Sequence, residues 1–117
     1  MADFLSADWF RTMNEALEAV TPESVSTWRV VFEWADGPST LPHAMTLSSI
    51  ERSVAITLGD HLAADALVTM SYADAKNLFD GSLEPATALR EGRFKLRGDT
   101  EAVVAMANAL RSAVASA

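Results

Sequence analysis

A chain of 117 residues with no cysteine is read as one domain, residues 1–117, whose core uses neither disulfides nor cysteine-held metal. Its net charge of −7 runs against nucleic acid, which selects for clustered cations. Half of the residues are apolar, a surplus for so small a domain and a first hint of apolar surface beyond the needs of one core.

Ser6 is placed to cap a helix that begins at Ala7, with Asp8 near its positive end. Trp9, Phe10, Met13, Leu17 and Val20 follow at helical spacing, and Thr21-Pro22 stops the helix. Residues 27–34 alternate as a strand, with Trp28, Val30, Phe32 and Trp34 on one face and Arg29, Val31 and Glu33 on the other. Asp36-Gly37-Pro38 is a turn. A short strand over 44–49 follows, then a cleaner one over 53–58 with Val54, Ile56 and Leu58 inward, ended by Gly59-Asp60. Residues 66–70 form a strand with two possible apolar faces; the preferred one turns Ala66, Val68 and Met70 inward.

Ser71 with Asp74 makes a start resembling a capping box, Asp replacing the usual Glu or Gln. Tyr72, Ala75, Leu78 and Phe79 are the buried stripe of that helix, and Gly81 is its C-terminal cap. Pro85 opens a further short helix in which Leu89 is expected to face the core, and Gly92 ends it. Residues 93–97 are the last strand, with Phe94 and Leu96 on one face and Arg93, Lys95 and Arg97 on the other. After Gly98, Asp99 or Thr100 caps a closing helix in which Val103, Met106, Ala107, Leu110 and Val114 recur at threes and fours. The order is helix, strands, two short helices, strand, helix. Strands in succession imply an antiparallel meander with helices layered on it, an α+β fold.

The run from Thr69 through Ser71, Asp74, Gly81, Leu83, Pro85, Ala88, Gly92, Phe94-Lys95-Leu96 and Gly98 resembles the C-terminal half of sterol carrier protein 2 domains. In detail the resemblance holds from Thr69 to Leu110, and in order of elements it covers most of the chain. It implies a five-stranded, largely antiparallel sheet covered on one side by helices, with an apolar tunnel between the layers. It also implies a non-catalytic lipid-binding function whose ligand is a sterol, a fatty acid, an acyl-CoA or another apolar molecule. The candidate tunnel lining is Phe32, Trp34, Val54, Ile56, Val68, Met70, Phe79, Leu89, Phe94, Val103, Met106 and Leu110. From periodicity alone these residues are an ordinary filled core. Trp9, Trp28 and Trp34 fit either a lip at the tunnel mouth, with Trp34 nearest the entrance, or half-buried packing.

Chemistry has little foothold. His43 and His61 are the only imidazoles, the latter beside Asp60 and near Asp65, and two histidines without paired spacing make a poor metal site. No Gly-x-Ser-x-Gly elbow is present, so neither a catalytic residue, a metal nor a cofactor is expected. Arg90, Arg93, Lys95 and Arg97 read as a solvated strand face or, less simply, as a seat for an anionic lipid head group. The N-terminus lacks a signal-peptide pattern and the C-terminus a peroxisomal address, so a cytoplasmic protein with at most transient membrane contact is expected. Two rivals stand beside the carrier. One is an accessory or assembly module of the same fold, with a filled core and a protein partner or a second copy of itself. The other is an enzymatic subunit in which His61, Asp65 and Tyr72 converge in a pocket.

Overall fold

Three of the four helices begin where a short polar side chain receives an orphan amide. Ser6 Oγ accepts the Trp9 N–H at 3.1 Å and starts α1 (Ala7–Glu18). Ser71 Oγ accepts the Asp74 N–H at 3.1 Å and starts α2 (Tyr72–Asp80), which Gly81 closes at φ 89°. Pro85 occupies the first turn of α3 (Pro85–Arg90). Asp99 Oδ1 accepts the Glu101 N–H at 2.9 Å and starts α4 (Thr100–Ser116). The structure is a computed structural model that describes residues 4–20, 27–41, 43–51, 53–59 and 63–116, with side chains to Ala113. Thr21-Pro22, Asp60 and His61 lie outside the described residues, as does the side chain of Val114.

The strands are β1 (Trp28–Glu33), β2 (Ala44–Ile50), β3 (Ser53–Leu58), β4 (Ala66–Thr69) and β5 (Lys95–Gly98). They form one sheet in the order β3-β2-β1-β4-β5. β1, β2 and β3 are the expected meander, but β4 returns to the far side of β1 and pairs with it in parallel, Val30 against Ala66. The sheet is therefore mixed and mostly antiparallel, an α+β fold with helices on one face.

Cross-strand pairing gathers the apolar residues in rows on the helix-facing side. Val30, Leu47, Ile56 and Ala66 share one row, and Phe32, Met45 and Val68 another. All are buried. The preferred face of β4 is the one observed. Leu58 has the right parity but is 59% exposed at the end of the edge strand. Val31, expected outward with Arg29 and Glu33, is also buried, as is its cross-strand neighbour Thr46. The Thr46 hydroxyl is satisfied there, donating to the Gly59 carbonyl at 2.9 Å.

The edge at β3 is closed by α1. Asn14 Oδ1 accepts the Ile56 N–H at 2.8 Å, and Asn14 Nδ2 donates to the Ile56 carbonyl at 3.2 Å. One side-chain amide thus satisfies main-chain groups that would otherwise invite another strand. At the other side, Gly98 sits at φ 99° where β5 passes Ala66; a Cβ there would stand 2.9 Å from the Ala66 Cα and closer still to the Asp65 carbonyl. Only glycine fits that approach.

Candidate functional site

Except for Leu89, every residue expected to line a tunnel is buried in the layer between sheet and helices. Leu89 is a correction. It is 50% exposed, and Ala88 takes the buried position instead. In a helix of six residues, one step of about 100° decides which side chain faces inward. The small Ala88 lets α3 lie close against its neighbours, whereas a leucine there would hold it off.

The middle of the layer is an interlocking group of rings. Phe79 of α2 meets Phe32 of β1 edge to face at 5.3 Å between centroids, and Trp9 of α1 at 5.7 Å. Trp34, just past β1, lies 6.4 Å from Tyr72. Phe4, ahead of α1, joins them: its centroid is 4.9 Å from Trp9, 5.7 Å from Tyr72, 6.1 Å from Trp34 and 6.3 Å from Phe79. Such edge-to-face and tilted pairs add stabilisation beyond the area that they bury. Trp34 is 2% exposed, so it is a packing residue and not a lip at an entrance; Trp9 and Trp28 are likewise buried. Four methionines, Met13, Met45, Met70 and Met106, are buried in the same layer. Their unbranched, polarizable side chains can be rearranged at small cost.

Two clefts bordered by described residues reach this interior. The first, of about 140 Å³, lies between the α2–α3 corner and α4, lined by Leu78, Gly81, Leu83, Glu84, Pro85, Leu110 and Arg111. Its shape follows from the break after α2. Gly81 in the left-handed conformation turns the chain, and the Leu83 N–H donates back to the Asn77 carbonyl at 3.0 Å. Leu83 is thereby held over the cleft, and Pro85 starts α3 at once. Leu78 and Leu110 are almost fully buried, so the apolar floor is continuous with the core. The volume matches cavities of about 150 Å³ that accept benzene. As it stands it admits a ring or a short stretch of chain, not a whole sterol. Leu110 was among the expected lining residues. Leu83 stood in the resemblance run without an assigned role and Pro85 only as the start of a helix; their spacing after Gly81 was the available signal for them.

The second cleft, of about 260 Å³, is lined by Thr27, Trp28, Asp65, Asp99, Glu101, Ala102 and Ala105. Its carboxylates suit no aliphatic ligand. Two of them serve the fold: Asp65 Oδ2 accepts the Arg29 N–H at 2.8 Å, and Asp99 caps α4. Asp65 precedes β4 and Tyr72 follows it, so the two stand at opposite ends of that strand and do not converge. His43 is exposed, and no group of three or more His, Asp or Glu side chains among the described residues is disposed to hold a metal ion.

The cations lie on the outside of the β5 corner. Arg93 is bound to Glu91 at 2.7 Å and to Asp74 at 3.0 Å. Its hydrogen bonds to Glu91 and Asp74 raise its pKa above the usual arginine value. The Asp74 carboxylate that resembled half of a capping box is thus engaged by Arg93, while Asp36 accepts the Tyr72 N–H at 2.8 Å. Lys95 and Arg97 are exposed on the sheet's edge strand. Among the described residues, no helix is long and apolar enough to cross a membrane.

Residues 13–111 match the model of the SCP-2 sterol transfer family. The chain belongs to that family. Among curated proteins, no sequence matches this one. Solved structures resemble this SCP-2 domain throughout. A crystal structure of sterol carrier protein 2 superposes with a TM-score of 0.66 at 19% identity, covering 96% of this chain and 98% of that one. A UbiJ-SCP2 ubiquinone synthesis protein gives 0.64 at 18% identity, with 92% and 93% covered. A palmitated SCP2L2 from Aedes aegypti, solved in solution, gives 0.61 at 15% identity, with 90% and 94% covered. At such identities the likeness is one of fold. The match to the SCP-2 family model extends upstream of the Thr69–Leu110 stretch that carries the resemblance in sequence, and takes in the second half of α1 and the meander.

Proposed function

We propose that this SCP-2 domain is a non-catalytic lipid carrier that holds an acyl chain or similar apolar ligand between sheet and helices. The observation that carries the reading is the cleft under Leu83, whose floor of Leu78 and Leu110 runs into the buried layer. Family membership supports it, and so does the palmitated state of the Aedes protein of like fold. Entry needs side chains to move, and the methionines make that inexpensive. Burying about 400 Å² of lipid at ~25 cal/mol/Å² contributes roughly 10 kcal/mol. Association costs ~4 kcal/mol or more, which leaves ~6 kcal/mol at most, a dissociation constant of tens of micromolar or weaker without any polar contact. Selectivity among chains is weak, since one methylene is worth only ~0.8 kcal/mol. The carrier is expected to act in the cytoplasm, to touch membranes only while exchanging ligand, and to need no metal, cofactor or nucleic acid.

Gentle purification, native mass spectrometry and lipid extraction test this directly, together with displacement of a dansyl-labelled undecanoate. Co-purified lipid or saturable displacement is expected; a protein free of lipid that ignores the probe overturns the reading.

The close packing of Phe4, Trp9, Phe32, Trp34 and Phe79 favours a second reading, an accessory module that keeps its core filled and binds a protein partner or a second copy of itself. The fold shared with the UbiJ-SCP2 ubiquinone synthesis protein is consistent with it. Sedimentation velocity separates the two readings: the module predicts self-association or a stable complex with no lipid bound.

A further inference from the structure

We propose that Phe4 and Leu5 are a removable stopper in the ligand space, and that an acyl chain binds by taking their place. The inference rests on the carrier reading above and concerns the ring-lined part of the buried layer, apart from the cleft under Leu83.

Phe4 and Leu5 belong to no helix or strand, yet they are only 8% and 5% exposed. The Phe4 ring reaches Trp34 and Phe79, two of the expected lining residues, and Trp9 and Tyr72 beside them. It therefore wedges together α1, the end of β1 and the start of α2. Every other ring in this group is fixed to, or directly beside, a helix or strand that the fold cannot release. The Ser6 carbonyl accepts the Phe10 N–H at 3.0 Å and its hydroxyl accepts the Trp9 N–H, so α1 is anchored from Ser6 onward. Phe4 and Leu5 lie ahead of that anchor and are seated by apolar contact. They can withdraw without breaking a turn of α1.

The seated state also carries strain. Leu5 has φ 68°, a left-handed conformation that is unfavourable for a bulky side chain. Withdrawal relaxes it. In bulk the two side chains together present about eleven carbon atoms, comparable to a medium-length acyl chain, so exchange trades one buried apolar surface for another of similar area. The strain at Leu5 tilts the exchange toward the ligand, and the apparent affinity is the intrinsic one scaled by the fraction of molecules whose stopper has withdrawn.

The test uses the full chain and dansyl-labelled undecanoate. Phe4→Ala is expected to bind the probe about tenfold more tightly than wild type, and Phe4→Leu by a smaller factor. A fluorine label on the Phe4 ring of the otherwise wild-type chain is expected to move to the resonance of a solvated ring as the probe saturates. This last measurement carries the test even if Phe4→Ala does not fold. Equal affinity in wild type and variants, with the label unmoved at saturation, overturns the stopper and leaves the carrier standing. Failure of both wild type and variants to bind overturns the carrier reading and the stopper with it.

Discussion

Asn14→Ala removes a single half-buried amide and is expected to destabilise the domain by about 2 kcal/mol. The amide makes two bonds to one residue of the edge strand, at 2.8 Å from the Ile56 N–H and 3.2 Å to its carbonyl. Neutral hydrogen bonds contribute roughly 0.5–1.5 kcal/mol each, and water at this half-buried place replaces part of the loss. For a domain of this size about 2 kcal/mol lowers the melting temperature by roughly 8 °C. Urea unfolding followed by circular dichroism measures it. Asn14→Asp separates the two bonds. Its carboxylate keeps the acceptor for the Ile56 N–H but faces the Ile56 carbonyl with no proton to give. Protonation restores that donor, so the folded state favours the protonated form and raises the aspartate pKa. The stabilising contribution is then present at low pH and is lost as pH rises through the folded pKa. Opening the edge also exposes strand groups, and sedimentation is expected to report concentration-dependent association of Asn14→Ala. A destabilisation below about 0.5 kcal/mol, with no association, refutes the role given to Asn14.

Gly98→Ala is expected to cost about 3 kcal/mol or more, since it adds left-handed strain to a collision with the backbone of Asp65 and Ala66; urea midpoints check it. Ala88→Leu overfills the contact of α3 and is expected to cost about 1–3 kcal/mol, whereas Leu89→Lys stays within about 0.5 kcal/mol of wild type; equal effects in thermal melts would contradict the assigned helix phase. Ser49 is fully buried and its hydroxyl has no hydrogen-bond partner among the described residues, so Ser49→Ala is expected to stabilise by up to about 1 kcal/mol in the same assay.

Local chemistry was legible wherever it is written in neighbouring residues. Ser6, Ser71, Gly81 and Pro85 mark helix ends because caps and breaks are satisfied within a few positions. Alternation placed Phe32, Ile56 and Val68 correctly because one face of each strand is covered. It could not give β4 its partner, since parallel and antiparallel neighbours ask for the same pattern. Val31 broke the alternation because the outer face is buried there too, which the pattern of a single strand does not carry. Leu89 was misplaced because a helix of six residues has too few repeats to fix its phase. In the candidate site, the buried layer was readable and its contents were not. Phe4 stands before any periodic segment, and Asn14 is a polar residue on a helix flank, indistinguishable in sequence from a solvated one.

The parallel pairing of β1 with β4 imposes an order on assembly. Once Leu58 has been made, β1, β2 and β3 can close as neighbouring hairpins, but the fourth strand must still return to the far side of β1: Arg29 and Asp65, which meet at its start, are 36 positions apart. Until it docks, the strand destined for the centre of the sheet presents a bare flank, and Val30, Val31 and Phe32 make it apolar on both sides. An incompletely synthesised or refolding chain is sticky along that line, and crowding many copies together diverts them to pairing with one another.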